Sequence, residues 1–318
     1  MKTQGSYCLN CPSKSVSIGF VALVCSFFVN GSVQGDTIYV SNSGSNTIVE
    51  YDSAGNSSVF ASSGLSDPQG LAFDSSGNLY VANYGNNTIE KFNTSGVGSV
   101  FASSGVNHPL GLAFDGSGNL YVANQGNYTI EKFDSGGMGS VFVSSGLYDP
   151  AGIGFGSDGN LYVVDAVNIS NSGSISRFDS NGTGGVFVSS GLNYPYGLAI
   201  DSKGNLYVAN LASFHTGNTI VKFDSSGNES IFTTSGLNEP IGLAFDSNGN
   251  LYAANYGSTR TSGYIEKFNS NGTASVFASG LTLPSFIAVQ VPEPSTCVLL
   301  AMGIGAVLGG PRLRRHPS

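Results

Sequence analysis

No cysteine lies within the repeating body of this chain. Cys8, Cys11 and Cys25 sit near the N-terminus and Cys297 near the C-terminus. The body between them therefore holds no disulfide and no thiol nucleophile. A lone Cys8-x-x-Cys11 pair ahead of an apolar leader is weak ground for metal or redox chemistry. Charge is also scarce, at 10% of residues. Five of the 12 basic residues and one of the 20 acidic ones lie in the two tails, which leaves the body at a net −12. No basic stripe remains, so nucleic acid is excluded as a partner. Only two histidines, His108 and His215, fall in the body. There is no HExxH, no GxSxG and no phosphate-binding loop.

What is abundant is Gly, Ser and Asn, spaced between short apolar runs. Internal repeats organise them. Gly70-Leu-Ala-Phe-Asp74 returns at 111–115, 152–155, 197–201 and 242–246, each time followed by a Gly-Asn turn and Leu-Tyr-Val or Leu-Tyr-Ala. A further apolar strand follows (Ile48–Tyr51, Ile89–Phe92, Ile130–Phe133, Ile175–Phe178, Ile220–Phe223, Ile265–Phe268), and then a Val-Phe or Ile-Phe pair. Four short strands joined by Gly/Asn/Asp turns make one antiparallel sheet. Such sheets bury little alone, and radial stacking covers both faces. The spacing predicts an all-β, six-bladed β-propeller of four-stranded antiparallel blades with strands a to d, strand a innermost. Strands b, c and d occur six times, but the Gly-led strand a only five. Pro284-Ser-Phe-Ile-Ala-Val-Gln290 matches the missing copy. The ring is thus expected to close by pairing a C-terminal strand a with N-terminal strands b–d, leaving no open sheet edge at the seam.

The pattern Pro-x-Gly-Leu-Ala-Phe-Asp…Gly-Asn-Leu-Tyr-Val-Ala-Asn…Ile-x-Lys-Phe resembles the NHL repeat from Asp36 to Gln290. That resemblance implies the propeller fold and little about function, because NHL-type propellers include ligand sensors, protein- and RNA-binding modules, lyases and lactonase-like enzymes. Phe286 stands where the repeat has Gly, and Gly156 where it has Asp.

The ends read as addresses. Lys2 and Lys14 precede the apolar run 16–29, which has the length of a signal-peptide core. Small residues at Val33 and Gly35 place cleavage before Asp36, giving a signal peptide over 1–35. At the other end, Val291-Pro-Glu-Pro-Ser295 leads into an apolar stretch at 296–310 and then Arg312, Arg314 and Arg315. This order resembles the PEP-CTERM sorting signal of Gram-negative bacteria. It implies a tail over 291–318 whose short transmembrane segment halts in the inner membrane with its arginines cytoplasmic. It also implies an exosortase as partner, reading Pro292, Glu293 and Pro294. The expected destination is the cell surface or the extracellular space.

Loops sort by strand direction. The a–b and c–d loops share one face and repeat Asp-x-x-Gly-Asn, read here as turn caps. The d–a and b–c loops share the other face and vary, and variation on a regular scaffold is where binding residues gather. The residues preceding each proline there are Asp67, His108, Asp149, Tyr194, Glu239 and Leu283. The b–c loops of blades 4 to 6 are four residues longer and carry Phe214, His215, Tyr256 and Arg260. Strand b ends in Asn42, Asn83, Asn124, Asp165, Asn210 and Asn255, a ring expected to cap the b–c turns.

The candidate ligand-binding set is therefore Asp67, His108, Asp149, Tyr194, Glu239, Phe214, His215, Tyr256 and Arg260. No catalytic residue and no cofactor is assigned. The expected role is a noncatalytic binding or structural propeller of the envelope or extracellular matrix, monomeric, with a polysaccharide or envelope protein as partner. The rival is an enzyme, a lyase or a metal-dependent lactonase, holding a divalent cation on Asp67, Asp149 and Glu239 with an Asn at the channel mouth.

Overall fold

A computed structural model describes residues 35–166, 173–211 and 218–292. The leader 1–34, Phe214 and His215 of the long loops, Glu293 and Pro294 of the sorting motif, and the apolar stretch 296–310 lie outside the described residues. The body from Asp36 to Val291 forms one compact unit. No described helix is long and apolar enough to cross a membrane.

Six four-stranded antiparallel sheets make the ring. Blade 1 takes its strands b, c and d from Thr37–Asn42, Thr47–Tyr51 and Ser57–Ala61, and its strand a from Pro284–Gln290. Blades 2 to 6 run in chain order, beginning with Pro68–Phe73, Pro109–Phe114, Pro150–Phe155, Pro195–Ile200 and Pro240–Phe245. The ring closes by the expected strand pairing, with Ile38 opposite Val289, Tyr39 opposite Ala288 and Val40 opposite Ile287. The seam carries an extra fastening. The Ser41 hydroxyl accepts the Phe286 N–H at 2.8 Å and lies 3.2 Å from the Phe286 carbonyl.

Blades adhere through an aromatic unit repeated around the ring. Each strand-b tyrosine touches a phenylalanine of its own strand d, and four of the six (Tyr39, Tyr80, Tyr121 and Tyr207) touch another on strand a of the next blade; Tyr162 and Tyr252 face Ile200 and Val289 there instead. Tyr39 meets Phe60 and Phe73 edge to face, both at 5.0 Å between ring centres. Tyr80 meets Phe101 and Phe114, and Tyr121 meets Phe142 and Phe155, at 4.9–5.0 Å. Each such pair contributes about 0.5–1.5 kcal/mol beyond its buried area. The core thus lies between blades, where strand b is buried along its length.

Strand a explains its glycines. A Cβ on Gly70, Gly111, Gly152, Gly197 or Gly242 would run into a backbone carbonyl of the neighbouring blade's strand a, that of Leu110, Ala151, Tyr196, Ile241 or Ser285 respectively. Only a residue without a side chain allows that approach.

The Asp-x-x-Gly-Asn loops are self-contained turns. Asp74 Oδ1 accepts the N–H groups of Ser76 and Asn78, both at 2.9 Å, and Gly77 takes φ +78°. In blade 4, where Gly156 replaces the aspartate, Asp158 holds Asn160 and the Tyr162 hydroxyl instead.

Candidate functional site

The mouth on the d–a and b–c face is built from pairs. In every blade the carbonyl before the proline accepts the N–H of the first b–c loop residue. Asp67 thus holds Tyr84 (3.2 Å), His108 holds Gln125 (3.1 Å), Asp149 holds Ala166 (2.8 Å), Tyr194 holds Leu211 (3.1 Å), Glu239 holds Tyr256 (2.9 Å) and Leu283 holds Ser43 (3.1 Å). Five of the six pre-proline residues have positive φ, between 46° and 54°; Asp149 is the exception. The N–H groups of Asp67, His108 and Glu239 are caught by the preceding blade. Asn46 Oδ1 accepts from Asp67 and Asn87 Oδ1 from His108, each at 2.7 Å. Asn218, with its amide oxygen turned toward Glu239, accepts that N–H at 3.0 Å. Tyr128 occupies the corresponding place before blade 4, and there Asp165 Oδ1 takes the Asp149 N–H at 2.5 Å.

The ring at the end of strand b caps a different loop from the one its position suggested. Asn83 is fully buried, accepts the Ser66 N–H at 3.1 Å, and donates to the Gly64 carbonyl at 2.9 Å and to Thr88 Oγ1 at 3.1 Å. It fastens the d–a loop, as Asn124, Asn210 and Asn255 do in their blades. The physical reason is register. Asn83 pairs with Pro68, so its side chain reaches the loop that leads into strand a. Asp165 accepts from both Tyr148 and Asp149.

Within the mouth, tyrosines and carboxyls converge. Tyr84, Tyr194 and Tyr196 pack on one apolar floor of Leu110, Ala151 and Ala166. His108 lies 4.7 Å from the Tyr84 ring, and Tyr194 lies 6.4 Å from Tyr196. Tyr196 in turn meets Phe286 at 6.2 Å. These last two residues belong to blades 5 and 1, which are not neighbours, so the contact crosses the axis. Phe286 is 9% exposed. The residue that departs from the repeat's glycine thereby fills the channel.

Asp67 accepts one hydrogen bond from Gln69 (2.8 Å), and Asp149 one from Gln125 of the preceding blade (2.6 Å). Burial raises both carboxyls above the usual range, and those amides are what pull them back. Both carboxylates act on the same hydroxyls. Burial first, then Asp67 and Asp149, push Tyr84 upward; burial, Tyr194 and the same pair push Tyr196 upward. Tyr256 is raised by burial and by Asp67 and Glu239, with Arg260 opposing. Arg260 is exposed on its loop. Among the described residues, no three of His, Asp, Glu and Cys stand close enough to share a metal ion.

Of the expected site residues, Asp67, Asp149, Tyr194, Glu239, Tyr256 and Arg260 are brought to one mouth, with His108 at its rim. The cluster reaches across to blade 2 through Asp67 and Tyr84, rather than keeping to blades 4 to 6. Tyr84, Gln125, Gln69, Tyr196 and Phe286 were missed. For Gln69 and Tyr84 the pairing of Pro68 with Asn83 puts the flanking residues of the two strands side by side, whereas Gln125, Tyr196 and Phe286 come from other blades and meet the site only in the closed ring.

Comparisons with known proteins agree with the architecture. Residues 65–92 match the family model described as NHL repeat. Residues 290–315 match the PEP-CTERM protein-sorting motif. A comparison with curated proteins gives no match. Among solved structures, the chain is similar to one in a nidogen/laminin complex, with TM-score 0.71 and 18% identity, covering 82% of this chain and 100% of that one. It is similar to a gluconolactonase from Xanthomonas campestris, with TM-score 0.60 and 18% identity over 69% of this chain and 78% of that one. A streptogramin B lyase gives TM-score 0.59 and 18% identity over 81% and 93%. At such identity these likenesses establish the fold alone. The sorting motif marks an exported protein that an exosortase processes in the envelope of a Gram-negative bacterium. The chain is a six-bladed β-propeller bearing an NHL repeat and a PEP-CTERM sorting motif.

Proposed function

We propose that this chain is a noncatalytic binding propeller of the cell envelope or extracellular matrix, and that it holds a polysaccharide at the tyrosine-lined mouth. The supporting observation is the Phe286–Tyr196 contact across the axis. It turns the channel into a floor, beside which Tyr84 and Tyr194 pack with Tyr196 against Leu110, Ala151 and Ala166. Flat aromatic faces stack on sugar rings, and the Gln69 and Gln125 amides beside them suit hydroxyl groups. In this reading residues 1–35 are removed on export, 36–290 act as a monomeric propeller, and 291–318 form the sorting tail. Its stretch 296–310 pauses in the membrane until the exosortase cuts.

The test is retention on polysaccharide extracted from the native envelope, for the wild type and for Tyr84→Ala and Tyr194→Ala. At least a fivefold loss of retention in both folded variants supports the mouth as the site. Retention equal to wild type in both refutes it.

The enzyme reading rests on a different feature. Asp67 and Asp149 are half-buried and raised by burial, an arrangement that acid–base catalysis uses. Turnover of simple lactones, with and without added divalent cation, abolished by Asp149→Asn, would establish it.

A further inference from the structure

We propose that the outer wall of blade 6 carries a second binding site, in which Glu266 takes a guanidinium group on an alkyl stem, the chemistry of an arginine side chain. The site lies on strands c and d, away from strand a and the mouth, and does not depend on the polysaccharide reading.

Alternation along strand c of blade 6 (Gly263–Phe268) turns Lys267 toward Asp246 and Glu266 to the opposite side of the sheet. Glu266 is only 4% exposed, yet it has no hydrogen bond and no ion pair among the described residues. No fully buried side-chain oxygen among those residues lacks a partner. Both oxygens of Glu266 must therefore be open. They are open to a pocket of about 520 Å³, which Glu266 lines together with Gly236, Thr261, Tyr264, Val276 and Ser279.

The walls are fixed before any ligand arrives. The Gly236 carbonyl accepts the Tyr264 hydroxyl at 3.4 Å and the Asn255 amide at 3.2 Å. A Cβ on Gly236 would stand 3.0 Å from the Glu266 carboxyl carbon, so bare backbone lets the carboxyl lie against this loop. Gly263 pairs with Leu281, which carries strand d along the pocket over eight residues, where blade 2 has five. Glu90 and Glu131 hold the same strand position in blades 2 and 3, at 5% and 6% exposure. There the carboxylate lies between two glycines, Gly64 and Gly98 or Gly105 and Gly139. In blade 6 Ala274 stands in place of Gly98, Tyr264 in place of Thr88, and the b–c loop is four residues longer. The repeat supplies the carboxylate, and blade 6 supplies the pocket.

A carboxylate accepts hydrogen bonds and donates none, so the ligand must bring donors. Held from water without a counter-charge it is costly, and a cation arriving with the ligand removes that cost. Two open oxygens on one carboxyl match the paired N–H groups of a guanidinium, whereas an ammonium is a single point charge. No other charged side chain lines the pocket among the described residues. Val276, 64% exposed, and the Tyr264 ring offer apolar contact to an alkyl stem. Burial raises the Glu266 carboxyl, and burial followed by the charge of Glu266 raises Tyr264, in keeping with both groups facing one space. Arg260 precedes Thr261 in the chain but acts on Tyr256 and forms no ion pair with Glu266.

The experiment is calorimetric titration of the purified chain with blocked arginine (N-acetyl-arginine methylamide), its citrulline and lysine counterparts, and free arginine. The side-chain carboxyl carbon resonance of Glu266 is followed in parallel. Expected is binding of the blocked arginine at least tenfold tighter than of the citrulline probe and at least threefold tighter than of the lysine probe, with a shift of the Glu266 resonance. Glu266→Gln keeps the shape of the side chain, should melt no lower than wild type, and should lose at least tenfold in affinity for the blocked arginine. Glu90→Gln and Glu131→Gln should leave that affinity unchanged. Tighter binding of free than of blocked arginine supports a small-molecule ligand, and the reverse supports an arginine of a partner polypeptide. Citrulline bound as tightly as arginine, lysine bound more tightly, or full affinity in Glu266→Gln overturns the proposal. A Glu266 resonance that moves on Arg260→Gln and with none of the probes shows the chain's own arginine in the seat, and overturns it too. None of these results bears on Tyr84 or Tyr194, so the reading of the mouth stands or falls separately.

Discussion

Replacing Phe286 by Gly restores the residue that the repeat carries in the other five strands a, and it should nonetheless damage the protein. Phe286 is 9% exposed, and its ring reaches across the axis to Tyr196. Truncating a buried phenylalanine to alanine costs about 3–5 kcal/mol, transfer and cavity together. The further step to glycine adds about 0.5–1 kcal/mol of backbone entropy. The ring borders a half-open mouth on one side, so the lower part of that range applies, about 4 kcal/mol. For a domain of this size each kcal/mol lowers the melting temperature by about 2–4 °C, giving a drop of about 8–16 °C by scanning calorimetry. Phe286→Leu, which fills most of the space, should lose less than half as much. Gly70→Ala should also destabilise, from the opposite cause, since its new Cβ meets the Leu110 carbonyl. A Phe286→Gly protein melting within 2 °C of wild type would refute the claim that this side chain fills the axis.

The remaining predictions concern the loops, the mouth and the tail. Asn83→Ala strands the Ser66 N–H and the Gly64 carbonyl, and should cost about 2–4 kcal/mol in thermal or urea unfolding. Asp67 and Asp149 have carboxyls raised by burial, so the native state holds more protons than the unfolded chain between the ordinary and the raised carboxyl range. Their contribution therefore falls as pH rises through that window and stays low above it. The double Asn variant should melt higher than wild type at neutral pH, with the advantage vanishing once pH falls below the ordinary carboxyl range. The turn aspartates Asp74, Asp115, Asp158 and Asp201 have the opposite sign, because amide and backbone hydrogen bonds lower them against burial. Their stabilisation is present at neutral pH and lost as the solution becomes acidic. Glu293→Ala in the native host should accumulate in the membrane fraction with its tail attached, as read by intact mass, whereas the wild type should begin near Asp36 and lack the arginines.

The ring, its strand count and its seam were legible because each rests on a local rule repeated many times. Gly-Asn turns fix hairpins, alternation fixes faces, and the surplus Pro284–Gln290 segment has one unpaired place to go. The site was legible only in part. Asp67, Asp149 and Glu239 stood out because they precede prolines that otherwise look alike. Tyr84 was hidden because it follows Asn83 in a loop no longer than its neighbours, and nothing local shows that the Asp67 carbonyl holds it. Phe286 was visible as a departure, but that its ring crosses to Tyr196 depends on the closed ring and not on its own segment. The target of the strand-b asparagines was misread for a similar reason. Asn83 is five residues from Thr88 and nineteen from Gly64, and it binds both.

The pre-proline position shows why the two kinds of information separate. Asp67, His108, Tyr194, Glu239 and Leu283 all hold positive φ, a conformation that favours glycine and costs other residues on the order of 1–3 kcal/mol. None of the six is glycine. The backbone partners there are indifferent to the side chain: Asn46 and Asn87 take the N–H of an aspartate and of a histidine at the same 2.7 Å. The carbonyls of all six hold the b–c loop in the same way. The scaffold therefore fixes the conformation and bears its cost whatever side chain is present. It follows that the choice among Asp, His, Tyr, Glu and Leu is set by what faces the mouth. Where the ring does adjust its backbone, at Asp149, the substitute acceptor is Asp165, a second carboxylate placed behind the first. The joint at Asp149 thus places a second carboxylate, Asp165, at this mouth.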